Sequence, residues 1–142
     1  MAVLRYQDWT SRLDAVLRET ANRELEYGQL DCCMFCANVV LALTGFDPAH
    51  DLRGQYDNEN AAYALMKDRF GGYIEKTVST LAKRSGFEEI PVLMAQRGDV
   101  VIVGSNRQCS AGVVDMSGRN AAIFPKKLMY VPIRHARRAW RV

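Results

Sequence analysis

The chain has 142 residues, is 49% hydrophobic and 25% charged, and carries a formal net charge of +3. That balance fits one globular domain over residues 1–142 with apolar content enough for a proper core. No apolar run approaches the roughly 20 residues that span a bilayer. The stretch from Met1 to Asp8 lacks the basic-then-apolar order of a secretion signal, so a cytosolic origin is expected.

Asp8 is placed to cap a first helix with Trp9, Leu13, Val16, Leu17 and Thr20 on one apolar face. Tyr27-Gly28 reads as a turn and Asp31 as the N-cap of a second helix. In that helix Phe35, Val39, Val40 and Leu43 recur at helical spacing until Gly45. The polar run 46–56, with Pro48 and Gly54, opposes helix and predicts an ordered loop. Asp57 or Asn58 can cap a third helix through Ala62, Leu65, Met66 and Phe70, stopped by Gly71-Gly72. A fourth carries Ile74, Val78, Leu81 and Ala82 as far as Gly86.

The pattern changes at Pro91. Arg97-Gly98-Asp99 turns into the apolar run Val100–Val103, the composition of a central strand, and 104–108 is a polar loop. Residues 111–115, 120–124 and 128–133 read as three more strands, and Pro132 suggests an edge position for the last. Helices followed by an antiparallel meander make an α+β domain.

Cysteine usage directs attention to one stretch. Cys32, Cys33 and Cys36 crowd a single helical turn, and Cys109 stands apart, which is not the framework of a secreted disulfide protein. Cys32 and Cys36 are i,i+4 neighbours, yet neither a second cysteine pair nor a nearby histidine completes a metal site; no metal and no cofactor are expected. Cys32 falls in the first turn after Asp31, where unpaired N–H groups and the helix dipole favour an anion and lower a thiol pKa. The plainer reading makes Asp31 only a cap and Cys32 only a small buried residue. From Ala121 onward six basic residues and no acid occur, among them Arg134, Arg137, Arg138 and Arg141. Such a segment can dock on an acidic surface or on nucleic acid, with Tyr130 and Trp140 available to stack; a solvated edge is the commoner outcome.

The Tyr-Gly turn, Asp31-Cys32-x-x-Phe35 at a helix start and Arg97-Gly98-Asp99-Val100 at a sheet start resemble the NlpC-like papain-fold cysteine peptidases. Adding Leu43-Thr44-Gly45, Asp47-Pro48-Ala49, Leu52-Arg53-Gly54-x-Tyr56, Gly71-Gly72 and Ala139-Trp140-Arg141-Val142 extends the likeness over nearly the whole chain. Together these motifs resemble a small family of uncharacterised phage and prophage proteins encoded among tail genes and distantly similar to those peptidases.

The resemblance implies an NlpC-like fold, N-terminal helices packed on a C-terminal antiparallel sheet, with Cys32 at the nucleophile position and Asp31 beside it. It aligns Gly112-Val113 with the histidine strand, which puts Ser110 at the family's histidine position and Ala122 at its orienting position. Serine is no base near neutral pH and alanine orients nothing, so Cys32 lacks its activating partner. His50, with Asp47 or Asp51 nearby, is a candidate substitute base, and His135 lies among arginines. The expectation is therefore a pseudoenzyme, a non-catalytic structural or assembly component of a phage tail (tip, hub or baseplate). It would be made in a bacterial host cytoplasm and placed in the virion. Its partners would be other tail proteins, with further copies of itself as a second candidate, touched by the former cleft or by Arg134, Arg137, Arg138, Trp140 and Arg141; nucleic acid is the less favoured partner. The alternatives are an active cysteine hydrolase using Cys32, on peptidoglycan or a tail protein, and a basic nucleic-acid-binding module.

Overall fold

A computed structural model describes residues 3–105, 108–124 and 126–142. Four helices come first: α1 (Trp9–Ala21), α2 (Cys32–Thr44), α3 (Glu59–Phe70) and α4 (Ile74–Arg84). Six strands follow: β1 (Glu88–Ile90), β2 (Val100–Ser105), β3 (Gln108–Val114), β4 (Asn120–Ile123), β5 (Leu128–Val131) and β6 (Ala136–Arg141). They form one antiparallel sheet in the order β1-β6-β2-β3-β4-β5. The domain is α+β, and none of its described helices is long and apolar enough to cross a membrane.

Helix α2 is the centre of the packing. It is apolar on nearly every side, and Cys33, Met34, Phe35, Cys36, Ala37, Val39, Val40 and Leu43 are all buried. Asp31 caps its start, and Gly45, at φ 78°, ends it in the left-handed conformation that glycine adopts without a Cβ penalty. One face of α2 meets Leu13 and Leu17 of α1. Another lies on Val100, Ile102, Ala111, Val113, Ala121, Ile123 and Trp140 of the sheet. Met34 and Ala37 face Ala49, Leu52 and Leu81, so the loop after α2 is ordered by apolar anchors. An Arg53–Asp47 ion pair at 3.0 Å fastens it further. The far face of the sheet gathers Val101, Val103, Val114, Ala122, Ala136 and Ala139 into a second cluster.

Several expectations need correction. Asp8 does not cap α1; its carboxylate accepts instead from Arg12 at 2.8 Å. Asn58 rather than Asp57 caps α3, accepting from the Ala61 N–H at 2.9 Å. The third strand spans Gln108–Val114, not 111–115, and of the expected 104–108 loop Asn106 and Arg107 lie outside the described residues. The strand expected over 128–133 ends at Val131, and Ile133–His135 form a turn of 3-10 helix; β5 does lie at the sheet edge.

The C-terminal basic segment is the largest revision. It is strand β6, inserted between β1 and β2. Trp140 is 2% exposed and belongs to the core, so it is unavailable for stacking. Arg138 pairs with Glu89 at 2.7 Å and with Glu75 at 3.3 Å, Arg137 with Glu75 at 3.4 Å, and Arg141 with Asp99 at 3.0 Å. Arg134 is exposed in the turn before the strand. Three of the four arginines thus serve intramolecular pairs, and the segment is not a basic docking tail.

Candidate functional site

The start of α2 opens into a cleft of about 410 Å³. Its walls come from Tyr27, Asp31, Cys32 and Tyr56 on one side and, on the other, Cys109, Ser110 and Ile123 of the sheet with Phe124 just after β4. Tyr63, Met66 and Ile74 of α3 and α4 close it.

Asp31 is the fastening of this site. Oδ1 accepts the Met34 N–H at 3.0 Å, and Oδ2 accepts the Gly28 N–H at 3.0 Å and the Tyr56 hydroxyl at 2.6 Å. Both oxygens are committed and the residue is buried, so its work is to position Cys32. Gly28 has φ 88°, and a Cβ there would run into the Tyr56 carbonyl oxygen. The Gly54 N–H donates back to the Gly28 carbonyl at 2.8 Å. The Tyr27-Gly28 turn, the 54–56 loop and the start of α2 therefore form one unit. Burial, then the charge and bond from Asp31, push the Tyr56 hydroxyl far above the usual phenol range. It stays a hydrogen-bond donor. Burial and Glu59 push Tyr27 up to about 12.

Cys32 is the partly exposed thiol at the first position of α2. The Cys33 thiol beside it holds it below the ordinary thiol range, aided by the Ala111 N–H and the Ser110 hydroxyl, against opposing burial and the Asp31 charge. The same contact with Cys32, together with burial, pushes Cys33 well up. Burial does the same to Cys36, whose thiol donates to the Gly112 carbonyl at 3.4 Å. Cys109 is raised by burial and by Glu75. One thiol with a lowered pKa thus stands among three whose pKa is raised. Among the described residues no group of three or more His, Cys, Asp or Glu is gathered to hold a metal ion.

The remaining expected site residues are dispersed. Ser110 does line the cleft with Cys32, but its hydroxyl donates to the Ala111 and Ile123 carbonyls at 3.2 Å. Ala122 does not: it belongs to the cluster on the far face of the sheet. His50 is exposed in the loop after α2, its Nδ1 3.4 Å from the Asp47 carbonyl oxygen, and takes no part in the cleft. Asp47 and Asp51 are bound by Arg53 and Arg84, so neither is free to orient an imidazole. His135 lies in the 3-10 turn outside the cleft. His50 as a substitute base is therefore withdrawn. Cys32 can meet an electrophile or ligand but has no imidazole beside it to take up and return a proton.

The cleft also has an aromatic part that was not expected from the sequence. Tyr63 is 42% exposed, and its ring meets Tyr73 edge-on at 5.4 Å between centroids; Phe124 is 39% exposed. Spacing on α3 sets Glu59, Tyr63 and Met66 on one face, which was a usable signal; nothing local marks Phe124.

The chain belongs to the family described as a domain of unknown function, DUF6950, whose model matches residues 4–142. It is also similar to the structure-specific endonuclease subunit slx1 of Talaromyces marneffei, 29% identical over 109 residues, which is 75% of this chain. The chain spans only 24% of that protein's length. No solved structure matches. The similarity to an endonuclease subunit overturns two expectations: the role of phage-tail structural component, with tail proteins as partners, and the ranking of nucleic acid as the less favoured partner.

Proposed function

We propose that this DUF6950 chain is a binding domain on a degenerate NlpC-like, papain-type scaffold, and that its cleft receives an unpaired stretch of nucleic acid. The observation that carries this reading is the pair of exposed rings lining the cleft, Tyr63 and Phe124, with exposed Tyr73 against Tyr63 and Lys126 and Lys127 exposed just beyond Phe124. Aromatic faces stack on bases of any sequence, and cations beside them follow the phosphate backbone. Nearby acids are already engaged: Glu75 accepts from Arg137 and Arg138, and Glu59 from Tyr27 at 3.4 Å. Lys126 and Lys127 have no ion pair among the described residues. A nucleophile-position cysteine opening a buried helix against an antiparallel sheet supports the papain-type scaffold, and the absence of an imidazole supports its being degenerate.

The similarity to slx1 supports nucleic acid as the ligand class. The test is fluorescence anisotropy of a labelled single-stranded oligonucleotide titrated at several salt concentrations. Binding that weakens as salt rises and is lost in Tyr63→Ala/Phe124→Ala is the expected result; equal binding by wild type and that variant would remove the reading.

A second reading, a cysteine hydrolase acting through Cys32, is favoured by one observation, a partly exposed thiol at a helix start lining an open cleft. It requires turnover of a peptide or ester that Cys32→Ser abolishes.

A further inference from the structure

We propose that Cys32 and Cys109 form a reversible disulfide across the cleft when the protein meets a hydroperoxide. Both sulfurs line the same cleft, Cys32 from the first turn of α2 and Cys109 from β3, and both pack on the same core cluster. Both are partly exposed, whereas Cys33 and Cys36 are buried. Helix α2 is fastened to β3 one turn further on, where the Cys36 thiol donates to the Gly112 carbonyl at 3.4 Å. The strand that carries Cys109 is thus in contact with the helix that carries Cys32.

The division of labour follows from the surroundings. Cys32 is the partly exposed sulfur at the first turn of α2, where unpaired N–H groups and the helix dipole favour thiolate, and thiolate is the form that attacks peroxide oxygen. In the first step its lone pair forms an S–O bond and the O–O bond breaks. Cys32 becomes a sulfenic acid and the departing alkoxide or hydroxide takes a proton from water. In the second step the Cys109 sulfur attacks the Cys32 sulfur, the S–O bond breaks, and the Cys109 proton leaves with the hydroxyl as water. The hydroperoxide is reduced and two cysteines are oxidised. An added dithiol reverses the bond.

Cys33 is a poor resolving partner, because a disulfide between adjacent residues of a helix demands a distorted peptide between them. Cys36 has its thiol on the Gly112 carbonyl inside the core. Cys109 is the thiol left facing the opening. The bond would tie α2 to β3 across the ligand space. Its effect on a ligand rests on the function proposed above; its formation does not.

The experiment treats the full chain with hydrogen peroxide and maps its peptides without reduction. The expected product is an intramolecular Cys32–Cys109 peptide pair, with two hydrogens lost from the intact mass and dithiothreitol restoring them. Cys33→Ser should still form it. Cys109→Ser should instead leave a sulfenic acid on Cys32 that dimedone traps. A bond mapped to Cys33, Cys36 or a second chain, oxidation of Cys32 past the sulfenic stage in wild type without a bond, or no reaction at Cys32 would each overturn the proposal. Mass reads the bond whether or not any oligonucleotide binds.

Discussion

The Tyr56 hydroxyl donates a 2.6 Å hydrogen bond to Oδ2 of Asp31, 25 residues earlier in the chain. This contact ties the loop after α2 to the residue that starts α2, and with it fixes where Cys32 stands. Asp31→Ala removes an N-cap, at a cost of about 1 kcal/mol. It also leaves the Gly28 N–H and the Tyr56 hydroxyl without their acceptor, at roughly 1–3 kcal/mol for a buried group. A total loss of about 3 kcal/mol is expected in urea unfolding, against about 1.5 kcal/mol for Tyr56→Phe, which removes a single bond to a charged acceptor.

Cys32 should react with iodoacetamide at pH values below those an ordinary thiol needs. Its pKa is lowered chiefly by the Cys33 thiol and less by the Ala111 N–H and the Ser110 hydroxyl. Cys33→Ala should move the midpoint of the rate profile upward, and Ser110→Ala should move it less. His50→Ala should leave it where it is, since that ring takes no part in the cleft. Mass-spectrometric alkylation rates across pH check all three.

Alkaline stability should report Cys36. Burial raises its folded-state pKa well above the ordinary 9.0, so the unfolded chain ionises first. The stability it contributes is fully present below the unfolded value and is lost as pH rises from there through the folded value. Urea midpoints for Cys36→Ala should decline less steeply over that window than those of the wild type, whatever the offset at neutral pH.

Asp99 is wholly buried and accepts from Arg5 at 3.1 Å, Arg141 at 3.0 Å, the Gln96 N–H at 2.9 Å and the Val142 N–H at 3.1 Å. It joins both ends of the described chain to the start of β2. Removing one partner of a buried charged cluster costs about 3–5 kcal/mol. Asp99→Ala should lose about that much in urea unfolding, and Asp8→Ala, at an exposed pair, next to nothing.

The helical half of the fold was readable because its signals are local. Asp31, Gly45, Asn58 and Gly71 mark helix ends by chemistry that acts within a few residues. Strand β6 was hidden by its own irregularity: the register shifts between Ile102 and Val103, opposite Arg138 and Ala136, so Arg137 bulges and the period-two alternation breaks. Its arginines then read as a solvated tail, although their acids lie 42 to 63 residues away. In the site, the pairing of Asp31 with Cys32 was legible. The Tyr56 bond, the Cys109 wall and Phe124 were not, because only the tertiary fold brings them to α2.

Lys126 and Lys127 should each contribute to oligonucleotide binding through phosphate contact. Replacing either by Ala should reduce the slope of log affinity against log salt by about 1. Arg138→Ala should lower stability through the lost Glu89 and Glu75 pairs while leaving that slope unchanged.

The most direct measurement is photo-crosslinking of a 5-bromouracil single-stranded oligonucleotide to the wild-type protein, with the crosslinked peptides identified by mass spectrometry. Adducts on Tyr63, Tyr73 or Phe124, lost on competition with unlabelled single strand, are the predicted result. Adducts confined to peptides outside the cleft, or no adduct that unlabelled single strand displaces, would contradict the account.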